Sequence, residues 1–116
     1  GDLDIVANDF TTEPLVLTSD LSERKTVRYV EVRLVGVDSN RDGLGARVTV
    51  HAGGKTYVQV HDGQSGYLSQ SRMPLYFGLG SAESIEKIEV TWPTGKTQVV
   101  PGPLPSRGRV EIEETE

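Results

Sequence analysis

Short runs in which hydrophobic and polar residues alternate, broken every few positions by Gly, Pro, Asn or Asp, constrain this chain more than any other feature. In Val27–Val37, Val30, Val32 and Leu34 fall on one face and Glu31 and Arg33 on the other. That two-residue period marks a half-buried β-strand, because successive strand side chains point to opposite sides of a sheet. Ala46–Ala52, Thr56–His61, Leu75–Leu79, Lys87–Trp92, Lys96–Val100 and Arg109–Ile112 repeat it. No segment carries a helical stripe, and Ser81–Lys87 has room for one turn at most. The expectation is an all-β fold, an antiparallel β-sandwich of about seven short strands. With 116 residues, 35% of them hydrophobic and 25% charged, the chain is sized for one domain with one core.

One hairpin is specified in more detail. A two-residue Gly53-Gly54 turn sets Val50 opposite Tyr57 and Val48 opposite Gln59, which mixes apolar and polar residues on one face. A three-residue Ala52-Gly53-Gly54 loop sets Val48 against Val58 and Ala46 against Val60. The second register keeps all four small hydrophobic residues on the core side and is preferred on that ground. It leaves Arg47, Thr49, His51, Tyr57, Gln59 and His61 on the outer face, either as a solvated surface or as a binding surface. In this register His61 lies opposite Gly45, and at about 3.4 Å per residue His51 and His61 stand roughly 20 Å apart, too far to share a metal.

Composition excludes several function classes. The net charge of −5 opposes a general nucleic-acid binder, which needs a basic surface to neutralise phosphates, and no Lys/Arg cluster stands out. The chain has no cysteine, so disulfides, thiolate metal sites and a Cys nucleophile are out. No apolar run approaches the ~20 residues that span a bilayer. The chain opens on Gly1 with no leader pattern, as expected of an excised domain whose targeting signal lies upstream.

Several motifs stand in a distinctive order. Ser39-Asn40-Arg41-Asp42-Gly43-Leu44-Gly45-Ala46-Arg47-Val48 is followed by Ala52-Gly53-Gly54 and by Ser65-Gly66-Tyr67-Leu68-Ser69-Gln70-Ser71. Phe77-Gly78-Leu79-Gly80 and Val90-Thr91-Trp92-Pro93-Thr94-Gly95 come next. Together, over roughly residues 28 to 100, they resemble the ASPIC/UnbV domain family. Gly1-Asp2-Leu3-Asp4-Ile5-Val6 resembles instead the tail of an FG-GAP/VCBS propeller repeat with its acidic calcium loop. These resemblances divide the chain into a repeat tail (1–10), a linker (11–26) and an ASPIC/UnbV-like sandwich (27–116). They imply a secreted, periplasmic or cell-surface parent with a propeller upstream. They imply little about activity, since some relatives are linked to enediyne biosynthesis and others to cartilage matrix.

Candidate sites are few. In a propeller loop Gly1 would be the turn glycine and Asp4 the last carboxylate ligand, but Asp2 and Asp4 alone fall short of the six to eight oxygens calcium takes. Asp38, Asn40 and Asp42 reproduce the D-x-N-x-D-G half of a calcium loop, with Thr49 where a bidentate Glu belongs and Arg41 adding a positive charge. The alternative is a strand connection in which Asn40 and Asp42 bond to local backbone and Gly43 and Gly45 take special dihedrals. Gly63-Gln64-Ser65-Gly66 is not a nucleophile elbow, and nearness of Ser65 and Ser69 to His61 and Asp62 in sequence is not triad geometry. Glu86, Glu89, Glu111 and Glu113 read as solvated faces. Trp92 shares a face with Ile88 and Val90 and is expected in the core. Recognition is expected at His51, Tyr57, Gln59, Tyr67, Ser69 and Gln70, with Tyr76 a further aromatic candidate. The expected function is a non-catalytic accessory module that engages the upstream propeller, an extracellular protein or matrix component, or a glycan. The alternatives are an accessory domain of an enzyme in secondary metabolism and a purely structural cap on the propeller.

Overall fold

The computed structural model describes residues 2–115. All seven expected segments form strands: β3 (Arg28–Val35), β4 (Arg47–Ala52), β5 (Lys55–Val60), β6 (Leu75–Gly80), β7 (Ser84–Thr91), β8 (Thr97–Pro105) and β9 (Arg107–Glu113). Before them come β1 (Ile5–Ala7), β2 (Leu15–Leu17) and one helical turn, α1 (Leu21–Arg24). Two sheets face each other, a three-stranded one ordered β6-β3-β9 and a four-stranded one ordered β5-β4-β7-β8. Val30, Val32, Leu34, Phe77, Leu79 and Ile112 from the first sheet bury against Val48, Val50, Ile85, Ile88 and Val90 from the second. Trp92 is in the core as expected, its indole N–H donating to Gln98 Oε1 at 3.0 Å.

The sheets are not wholly antiparallel. β9 runs parallel to β3, with Tyr29 beside Arg107, Glu31 beside Arg109 and Leu34 beside Ile112. The chain reaches β9 from the opposite sheet through Ser106, which is buried. Ser106 accepts the Tyr29 N–H at its carbonyl and donates its hydroxyl to the Glu83 carbonyl. β9 therefore enters at the end where β3 begins and must run the same way.

The β4–β5 hairpin takes the register that the hydrophobic pattern disfavoured. Val48 pairs with Gln59 and Val50 with Tyr57 across a two-residue Gly53-Gly54 turn. Val48 is buried, but Val58 is 46% exposed and Val60 also faces solvent, so the expectation of a buried Val58 is overturned. Tyr57 and Gln59 turn inward because their polar tips have partners across the seam: the Tyr57 hydroxyl reaches the Leu79 carbonyl at 3.4 Å and Gln59 Nε2 donates to the Tyr76 carbonyl at 2.7 Å. Amphipathic residues can close a sandwich edge this way, burying the stem and satisfying the head.

Residues 84–90 hold a second correction. Ile85 and Ile88 are both buried at a helix-like spacing, yet the segment is strand. Glu86 is the extra residue of a bulge: Ala52 pairs with Ile85 and His51 with Lys87, so the inward parity shifts by one. The helical turn entertained for Ser81–Lys87 is thus absent, and the turn that does form is α1.

β1 and β2 form a separate antiparallel hairpin whose six residues are all exposed. Asp4 Oδ1 accepts the Ser19 N–H and Asp2 Oδ2 the Ser22 N–H, tying the hairpin to the stretch that leads into β3. The segment expected as a linker over 11–26 therefore contributes a strand and the helical turn. Gly1, expected as a turn glycine, lies outside the described residues.

Candidate binding cleft

The signature loop between β3 and β4 is built as a clamp. Asn40 bonds Leu44 twice, its Nδ2 donating to the Leu44 carbonyl and its Oδ1 accepting the Leu44 N–H, at 2.7 and 2.8 Å. Gly43 sits at φ +66°, and a Cβ there would press on Leu34 and Trp92, so only glycine suits the position. From the far end of the chain Glu114, 3% exposed, accepts the main-chain N–H groups of Val37 and Ser39 at 2.9 and 2.7 Å and the Ser39 hydroxyl at 2.8 Å. Burial alone would raise this carboxyl, but the Ser39 and Val37 N–H groups with the Ser39 and Thr94 hydroxyls outweigh it and hold it down at about 2.

Beside this clamp a cleft of about 890 Å³ opens between the β3–β4 loop and the long β5–β6 connection, within the size range of small-molecule sites. Its position follows from the sheet register. β6 pairs with β3 only as far as Val32 opposite Leu75, while β3 runs on to Val35. The last turn of β3 thus borders open space. Arg33, Arg41, Arg72 and Arg109 line the cleft, half of the chain's arginines, against the carboxylates of Asp42 and Asp62. Arg72 reaches Asp42 at 3.1 Å and Arg41 approaches the same carboxylate at 3.7 Å, so one anion faces two guanidinium groups. Arg33 pairs with Glu111 and Arg109 with Glu31 on the outer face of the three-stranded sheet, where Tyr29 and Tyr76 also stack with centroids 5.2 Å apart. Leu44 and Met73 add exposed apolar surface to the lining.

The residues singled out in the sequence scatter across the molecule. Gln70 lines the cleft and bridges to Gln64 across the loop, while Tyr67 stands 92% exposed at the loop tip with Ser69 beside it. His51 is on the outer face of the four-stranded sheet, partly covered, with its ring nitrogens 3.5 Å from Glu89 Oε2 and 3.4 Å from Thr56 Oγ1. Tyr57 and Gln59 are seam residues rather than an exposed surface, because β5 presents them to the β6 backbone. His61 lines the cleft, its N–H donating to the Ala46 carbonyl at 2.8 Å and its carbonyl accepting the Gly45 N–H at 2.7 Å, and it continues the register one step beyond the Arg47–Val60 pair. His51 and His61, ten residues apart in the chain and about five positions apart along the paired strands, therefore face opposite sides of their sheet.

Asp38, Asn40 and Asp42 do not converge. Asp38 pairs with Lys96 at 2.6 Å, Asn40 is engaged with Leu44, and Asp42 faces Arg72. Among the described residues no group of three or more metal-ligating side chains gathers. Asp62 accepts the Gln64 N–H, and no hydrogen bond joins His61 to Ser65 or Ser69. The cleft arginines were missed because they lie far apart in sequence. The one available signal was the Arg33–Glu111 and Glu31–Arg109 charge match between two predicted strands.

No helix among the described residues is long and apolar enough to cross a membrane. A search of curated proteins finds no match for this chain. The sequence model of the family described as ASPIC and UnbV matches residues 36–116, from the glycine that closes β3 to the end of the chain. Its span takes in the clamp, the two loops that flank the cleft and the Glu114 anchor, and starts just after β3, whose Val32, Arg33 and Leu34 also line the cleft. The chain therefore belongs to the ASPIC and UnbV family.

Proposed function

We propose that this domain is a non-catalytic interaction module of a secreted, periplasmic or cell-surface protein that also carries a propeller, and that it recognises its partner through the cleft at the end of β3. The observation that carries this reading is the cleft itself: a large opening edged by four arginines on a chain whose net charge is −5. Its polar groups are suited to binding and offer no nucleophile with a base and an orienting partner. The chemistry of the partner is anionic, whether protein, matrix component or glycan. No metal is needed in this reading, because the loop oxygens already have protein partners.

A second reading, a structural cap on the propeller, draws on a different feature. Leu3, Ile5, Val6, Leu15, Val16 and Leu17 are all exposed on or beside the β1–β2 hairpin, and a two-stranded hairpin is marginal without a surface to pack on. The two roles are compatible, since the hairpin and the cleft use different residues.

The test is a screen of the intact chain against a glycan array and a panel of extracellular protein fragments, repeated with Arg41→Gln/Arg72→Gln. The double variant should lose at least about tenfold in affinity with an unchanged fold by circular dichroism. Undiminished binding would move recognition elsewhere. Turnover of ester or glycoside substrates would end the non-catalytic reading.

A further inference from the structure

On the β6 edge of β3 the cleft leaves one strand residue, Leu34, between the end of β6 pairing at Val32 and Gly36, whose N–H donates to the Arg41 carbonyl at 3.0 Å. The Val35 carbonyl accepts the Glu114 N–H, so the main-chain groups of Val35 point to the β9 side. Main-chain direction alternates along a strand, so Leu34 points its N–H and C=O to the other side. That is the β6 side, where pairing has already stopped at Val32. The smaller recess there, about 390 Å³, is lined by Arg33, Leu34, Val35, Arg41, Asp42 and Arg72.

We propose that the end of β3 takes up an extended acidic peptide segment of a partner protein as an added strand, with an apolar residue opposite Leu34 and acidic residues on either side of it. This rests on the cleft being the recognition site. The molecule already shows which sequence suits these three residues. On the opposite edge of β3, Arg33, Leu34 and Val35 pair with Glu111, Ile112 and Glu113, and Arg33 meets Glu111 at 3.3 Å. The free edge presents the main-chain groups of Leu34 between the same flanking side chains, with more positive charge around them, since Arg41 and Arg72 share the single carboxylate of Asp42. Exposed ion pairs of this kind are weak and exchange readily for an incoming carboxylate. The exposed side chains of Leu44 and Met73 supply apolar surface for the central residue. Strand addition gains affinity from main-chain hydrogen bonds and specificity from alternate side chains, and both elements are present here.

The experiment titrates the intact chain with a blocked Glu-Glu-Ile-Glu-Glu peptide, with the same peptide N-methylated at its central residue, with a Lys-for-Glu peptide and with a uronic-acid oligosaccharide. Amide NMR spectra and calorimetry give the readouts. The acidic peptide should shift and protect the Leu34 amide, and N-methylation should weaken binding about fivefold to tenfold through the lost main-chain bond. The Lys peptide should not bind. Equal affinity of the methylated peptide, or of the oligosaccharide, would overturn strand addition while leaving the cleft as an anion site. If none of the four probes perturbs Arg41, Arg72 or Leu34, both this inference and the cleft reading fall.

Discussion

Glu114 shows how one residue can tie distant parts of the chain together. Its carboxylate fills the turn that leaves β3 and is held at about 2, below the ordinary 4.5. A carboxyl depressed in the folded state contributes stability that is complete above its unfolded value and is lost as pH falls towards its folded one. The melting temperature should therefore drop between about pH 4.5 and pH 2, and Glu114→Gln should be less stable near neutrality with the difference shrinking over that window. A parallel acid profile for the two proteins would remove this role. Asn40 and Asp42, which look alike in the sequence, separate at this scale. Asn40→Ala should cost about 1 kcal/mol by unfastening both Leu44 bonds. Asp42→Ala removes an exposed ion pair and should cost ~0–1 kcal/mol. Chemical denaturation of the two variants decides this, and millimolar calcium should move neither midpoint much because the loop oxygens have partners.

At the level of the strand, β5 records what hydrophobic patterning misses. Valine at 58 and 60 favours an inward face on composition, but an edge strand gains more by turning Tyr57 and Gln59 towards the Leu79 and Tyr76 carbonyls of β6. Val58→Thr should accordingly change stability by less than about 0.5 kcal/mol. Ile88→Ala, in the fully buried row of β7, should cost about 2–5 kcal/mol. Similar losses at both positions would mean that β5 is packed in the other register. The seven sandwich strands were legible because alternation survives over at least part of each of them. The bulge at Glu86 and the parallel course of β9 were not, since both depend on where strands from the other half of the chain arrive. The cleft was illegible for the same reason. Arg33, Arg41, Arg72 and Arg109 become neighbours only after two loops and a crossing between sheets have formed.

Across the whole molecule the dimensions are 49 × 35 × 18 Å, with a radius of gyration of 16.0 Å. A compact domain of this length is nearer 13 Å, and the six exposed residues of the β1–β2 hairpin add nothing to the buried core. The family match begins at Gly36, beyond both that hairpin and β3, although β3 is the central strand of the three-stranded sheet. The parallel pairing of β3 with β9 carries a further consequence, this time for the order of events in synthesis. The first strand of the sandwich finds its neighbour in the last one, with Glu31 and Arg109 lying 78 residues apart in the chain. Contacts so distant in sequence close late and slow folding. On a ribosome β3 must wait with one edge empty until β9, 78 residues on from Glu31 to Arg109, has emerged. A chain ended before Arg107 would lose the β9 partner of β3 and the Glu114 plug together, leaving a long open strand of the kind that pairs with other chains.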